Sequence, residues 1–116
     1  MKKYQTYIDG QWADPASGQW LDTENPFTGK PWAQIPRCNA EDAERAVAAA
    51  WQAFDKGPWS KLTASARGAM LRKLGDLIAQ NAEHLADIEV QDNGKLKAEM
   101  FGQMQYMPQW FYYFGG

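Results

Sequence analysis

Residues 100–116, MFGQMQYMPQWFYYFGG, hold three of the chain's five Phe, three of its five Tyr and three of its five Met residues, and no charge. Met100, Met104, Met107, Phe111 and Phe114 recur at spacings of three and four, the period of one helical face. Phe101, Tyr106, Trp110, Tyr112 and Tyr113 cover other directions, so the expected helix is apolar around most of its circumference. Such a helix must be enclosed on most sides, and 116 residues supply few elements to enclose it. Either the run is a binding surface, or its cover lies in protein beyond these residues.

The rest of the composition is that of a soluble globular chain of one domain at most. Hydrophobic residues make up 45% and charged residues 22%, and the mean hydropathy of -0.62 argues against a membrane protein. A formal charge of -2, with acids and bases interleaved, argues against nucleic acid. No apolar run is long enough to span a bilayer, and MKKYQTYIDG lacks the apolar core of a signal peptide. The single cysteine, Cys38, cannot form an internal disulfide, which fits a cytoplasmic protein.

From the N-terminus the chain reads as short strands and turns. Tyr4–Ile8 favours a strand, Asp9-Gly10 a hairpin turn, and Asp14–Gly18 a second turn. Gln19–Glu24 is a further strand, Asn25–Lys30 a turn, and Pro31–Pro36 an extended segment. Prolines at both ends of that segment predict an edge strand or a covering segment. Asn39 then caps a helix running to about Asp55, with Glu41 and Asp42 in its first turn. Ala43, Ala46, Val47, Ala50, Ala53 and Phe54 mark its apolar stripe; Asp42, Glu44 and Arg45 mark its polar face.

Thr63 caps a second helix running to about Asn81, with Met70, Leu71, Leu74, Leu77 and Ile78 inward and Gly68 and Gly75 as mild flaws. A third helix turns Leu85 and Ile88 inward and ends near Asn93-Gly94. Asp92, one turn beyond Ile88, falls on the inward side. A fourth helix begins near Lys95 and is broken or kinked by Pro108.

The chain shows no glycine-rich nucleotide loop, no HExxH, no GxSxG and no CxxC. Cys38 reads as the residue before a helix cap, packing toward the first turns, and His84 as a solvated or locally bonded side chain. Asp92 either accepts local N–H bonds or helps backbone carbonyls to hold a cation.

Three segments occur in the order seen at the start of the NAD(P)-dependent aldehyde dehydrogenases. They are Tyr7–Trp12 (YIDGQW), Asn25–Lys30 (NPFTGK) and Asn39–Ala50 (NAEDAERAVAAA). Arg67–Leu77, Glu89–Lys95 (EVQDNGK) and Tyr112–Gly116 (YYFGG) resemble that family's following segments. The resemblance covers essentially the whole chain and about the first quarter of a family member. It implies an α/β fold, a fragment of a Rossmann-like architecture, with short N-terminal β-strands followed by three or four helices. Residues 1–116 are then expected to be the N-terminal segment of the cofactor-binding domain, with strands and turns over 1–36 and helices over 39–116.

The resemblance further implies oxidation of an aldehyde to a carboxylic acid with NAD or NADP, through a cysteine thiohemiacetal. The catalytic cysteine, its glutamate and the main cofactor-binding residues lie downstream in the family, so this chain is expected to be inactive and to bind no cofactor alone. Its expected partners are the remainder of the subunit and further copies in a homo-oligomer. Tyr106, Trp110 and Phe111 become substrate-tunnel candidates. Thr23 and Glu24, through carbonyls, and Asp92, through its carboxylate, become candidates for a structural monovalent cation. The alternative is a small non-enzymatic helical interaction domain docking through residues 100–114.

Overall fold

Asp9 and Gly10, with φ of 53° and 75°, close the two-residue turn that joins β2 (Thr6–Ile8) to β3 (Gln11–Ala13) as an antiparallel hairpin. Positive φ at both turn positions matches the twist of the flanking strands, which is why Asp-Gly serves there. The computed structural model describes residues 1–116, and the chain forms two units, Met1–Lys61 and Leu62–Gly116. The first unit therefore takes in the first helix as well as the strands.

Its larger sheet has the order β1-β5-β4, from β1 (Lys2–Lys3), β4 (Trp20–Asn25) and β5 (Lys30–Pro36). The turn between β4 and β5 is set by Asn25, whose Oδ1 accepts the Phe27 N–H at 2.9 Å, and by Gly29 at φ 62°. The segment from Pro31 to Pro36 is thus the central strand, not the edge strand its prolines predict. β1 is two residues long and pairs, in parallel, only with Ala33 and Gln34. Neither proline enters that ladder. Against β4, Pro31 falls beside a register shift at Thr23/Glu24, and Pro36 sits at the strand end opposite Trp20. Bulges and strand ends tolerate a missing N–H.

α1 (Ala40–Asp55) starts on a capping box. Asn39 Oδ1 accepts the N–H groups of Glu41 and Asp42 at 3.0 and 3.3 Å, and Asp42 Oδ2 accepts that of Asn39 at 3.1 Å. Asp42 is not on the polar face: it is buried, and it also accepts the Ala16 N–H at 3.0 and 3.2 Å. One carboxylate therefore ties the β3–β4 loop to the start of the helix. These backbone hydrogen bonds, from Ala16 first and Asn39 next, hold its pKa below the ordinary carboxylate value. Cys38, expected to pack, is exposed. The apolar stripe expected on α1 lies open at Val47 and Phe54, 68% and 69% exposed, and Trp51, outside the expected stripe, is 67% exposed.

The second unit contains α2 (Ala64–Gln80), α3 (Ala82–Asn93), α4 (Lys97–Tyr106) and α5 (Pro108–Gly115). Thr63 caps α2 through a 3.2 Å bond from the Ala66 N–H. Gly94, at φ 74°, closes α3 by donating to the Val90 carbonyl at 3.0 Å. Ala82, Ala86, Met100 and Met104 form the core between α3 and α4, with Leu85, Val90, Phe101 and Met107 around it. Asp92, expected inward, is exposed on the last turn of α3. Pro108 opens α5, where Pro108 and Gly115 are buried and Phe114, expected on the Met100–Phe111 face, is 70% exposed.

α2 packs on α5 through its glycines. A Cβ at Gly68 would collide with the Gly115 carbonyl oxygen, and one at Gly75 would stand 2.7 Å from Tyr112 Cε1 and 3.3 Å from Phe111 Cβ. Arg72 Nη1 donates to the Gly115 carbonyl at 2.7 Å, and the Tyr112 hydroxyl donates to Asp76 Oδ1 at 2.7 Å. Gly68 and Gly75 are therefore the contact positions, not flaws. Met70, Leu74 and Leu77, expected inward, are 51%, 43% and 47% exposed.

Gly68→Ala is expected to lose roughly 2–3 kcal/mol in urea unfolding, the cost of forcing packed main chains apart. Gly102→Ala, in a helix with nothing within 4 Å of the new methyl, is expected to gain about 0.5–1 kcal/mol. For Asp42, a lowered folded-state pKa means its contribution to stability is present above the unfolded carboxylate value, about 3.9. That contribution is lost as pH falls through the lower folded value. Acid titration of the melting temperature should show this loss in the native chain, and Asp42→Asn should remove that part of the pH dependence.

Candidate functional site

The break at Met107-Pro108 places Tyr106, at the end of α4, beside Trp110, in the first turn of α5. Their rings meet edge to face, with centroids 5.9 Å apart and planes at 81°. Together with Glu99, Gly102, Gln103 and Met107 they line an open groove of about 560 Å³. Gly102 contributes no side chain, which leaves the wall low along α4. Tyr106 and Trp110 are 60% and 56% exposed, so each presents ring area and one polar hydrogen to whatever enters.

Phe111, the third tunnel candidate, is separate from this pair. It is half-buried, with its Cβ against the Gly75 position of α2, and serves the packing of α5. Glu99, Gln103 and Tyr106 were not singled out together in the sequence, although spacings of four and three put them on one helical face. Their signal was a polar-to-aromatic stripe inside a run that otherwise reads as core.

The groove offers aromatic faces, an amide and one carboxylate. That set offers an apolar group a surface, but it contains no nucleophile paired with a base. Elsewhere, Cys38 and His84 are exposed, with no partner that would activate either for catalysis. Of the cation candidates, Thr23 and Glu24 adjoin on β4, Thr23 half-buried opposite Ala33 and Glu24 exposed opposite Pro31 across the register shift, and Asp92 lies at the end of α3. No group of three His, Cys, Asp or Glu side chains forms a metal cluster.

A dinucleotide cradle needs a glycine turn leading from a strand into a helix N-terminus. Gly10 and Gly29 sit in hairpin turns and Gly18 in a loop before β4, all with open space at the Cβ position. Gly94 closes α3. The residues of this chain do not form the cradle.

The family model for the aldehyde dehydrogenase family matches residues 12–116. The chain belongs to the aldehyde dehydrogenase family. Among its relatives is the (Z)-2-((N-methylformamido)methylene)-5-hydroxybutyrolactone dehydrogenase of Acinetobacter baylyi, 41% identical over 116 residues, which span 100% of this chain and 23% of that protein. The betaine aldehyde dehydrogenase of Bacillus subtilis is 37% identical over 110 residues, 95% of this chain and 22% of that one.

Solved structures agree. The NAD-dependent aldehyde dehydrogenase of Sinorhizobium meliloti superposes with a TM-score of 0.93 at 36% identity, over 97% of this chain and 23% of that one. A betaine aldehyde dehydrogenase of Staphylococcus aureus, solved in complex with NAD+, gives 0.92 at 38% identity, over 97% and 22%. The α/β architecture expected from the sequence is thus that of the family. The chain spans about a quarter of the length of the relatives it matches.

Phe111→Ala is expected to cost roughly 2 kcal/mol, about half the loss at a fully buried phenylalanine. Tyr106→Ala and Trp110→Ala are expected to stay within about 0.5 kcal/mol of the parent. Chemical denaturation of the three variants checks the division between packing and groove.

Proposed function

We propose that this chain is the N-terminal quarter of an aldehyde dehydrogenase subunit whose whole oxidises an aldehyde to a carboxylic acid with NAD(P)+, and that it is inactive alone. The supporting observation is that 97–100% of the chain aligns with only 22–23% of the length of each of these dehydrogenases. The neighbours solved or described with NAD favour NAD over NADP. Residues 1–116 then belong to the cofactor-binding domain of the subunit. Tyr106 and Trp110 contribute to the substrate approach, and the open stripe of α1 is covered by the rest of the subunit.

The same reading makes the protein cytoplasmic and homo-oligomeric in full-length form; no helix of the chain is long and apolar enough to cross a membrane. The exposed Tyr106, Trp110, Tyr113 and Phe114 would also equip a stand-alone docking domain, the second reading. Under the first, those side chains meet the subunit's own remainder.

The test is complementation. The purified chain, assayed with NAD+ or NADP+ and a panel of aldehydes, is expected to produce no NAD(P)H. Mixed with the complementary three-quarters of the Acinetobacter baylyi relative, it is expected to restore turnover. Turnover by the chain alone would refute its inactivity. Failure of the complementary fragment to bind it, against capture by an unrelated partner, would favour the docking domain.

A further inference from the structure

Asn93-Gly94, at the C-terminal end of α3, stands apart from the groove. Asparagine followed by glycine is a chemically labile pair, because the unbranched glycine lets its backbone nitrogen approach the asparagine side chain. In this fold the reacting groups are engaged. Asn93 Nδ2 donates to Glu89 Oε2 at 2.5 Å and to Met100 Sδ at 3.9 Å, and Asn93 Oδ1 accepts the Lys95 N–H at 2.9 Å. The Gly94 N–H, whose nitrogen would be the nucleophile, donates to the Val90 carbonyl at 3.0 Å.

We propose that Asn93-Gly94 is a deamidation site held latent by Glu89, Lys95 and Val90, and exposed to reaction when the α3–α4 turn opens. The Gly94 nitrogen, after giving its proton to solvent base, attacks Asn93 Cγ. The new C–N bond forms as the Cγ–Nδ2 bond breaks, and the nitrogen leaves as ammonia after taking up a proton from water. Water then opens the cyclic imide at either carbonyl, giving aspartate or isoaspartate.

The products no longer suit the turn. A carboxylate at 93 loses the donor to Glu89 and to Met100 and instead faces the Glu89 carboxylate. Isoaspartate also adds a methylene to the main chain next to Gly94, at φ 74°. Met100 is a core residue, 2% exposed, so the modification loosens the α3–α4 contact and favours further opening.

The experiment incubates the 116-residue chain in mildly alkaline buffer and follows the peptide containing Asn93 by mass and by isoaspartyl methyltransferase labelling. Wild type, Glu89→Ala and Glu89→Gln are compared with wild type in denaturant. Folded wild type is expected to react slowest, and Glu89→Gln, which keeps an acceptor oxygen, close to it. Glu89→Ala should react about tenfold faster, equivalent to ~1.4 kcal/mol, near the lower end for a hydrogen bond to a charged group. Equal rates in folded and denatured wild type overturn the proposal, as does an unchanged rate in a Glu89→Ala chain of native helicity. Should Glu89→Ala lose its helicity, Asn93→Asp gives the independent reading: a lowered Tm supports the proposal, and an unchanged Tm overturns the loosening.

Discussion

Main chain meets main chain where α2 crosses α5, and the arrangement of the second unit depends on that approach. Gly68 lies against the carbonyl of Gly115, Gly75 against Tyr112 and Phe111, and Arg72 caps the Gly115 carbonyl. Helices this close exclude a Cβ at Gly68 and Gly75 of α2. The packing face of α2 is therefore the glycine face, and Met70, Leu74 and Leu77 are turned toward the open side. On α5 the same constraint draws Phe111 and Tyr112 toward α2. Trp110 is then left to face Tyr106 across the proline break.

In the first unit a single buried carboxylate has the comparable role. Asp42 gathers N–H groups from Ala16 and Asn39, so the loop before β4 and the first turn of α1 share one acceptor. The two devices are opposite in kind. One works by having no side chain at all, the other by concentrating charge where backbone donors converge.

The helix boundaries were legible because their chemistry is local: Asn39, Thr63, the Asn93-Gly94 pair and Pro108 each act within one turn of chain. Which face packs was not legible on α2. Hydrophobic periodicity weighs large side chains, whereas close helix crossings select for none. Asp42 read as a polar-face residue because an acid in a first turn is ordinary, and its long-range partner Ala16 leaves no mark in the sequence. The central place of β5 was hidden for a related reason: the strand beyond it is two lysines long. At the groove, Tyr106, Trp110 and Phe111 were named together by resemblance alone; the structure sets the first two along the groove and Phe111 Cβ against the Gly75 position of α2, a division no local signal in the sequence marks.

The stripe of α1 also bears on how the chain behaves in bulk. Val47, Trp51 and Phe54 form an apolar ridge in open solvent, on a molecule whose formal charge is only -2. Charge repulsion between copies is weak at that value, and apolar ridges attract one another over the same short range. The helix with the capping box thus also carries a ridge that promotes self-association wherever it is left uncovered. Its secure local folding preserves the sticky surface, because a well-formed helix keeps all three side chains aligned.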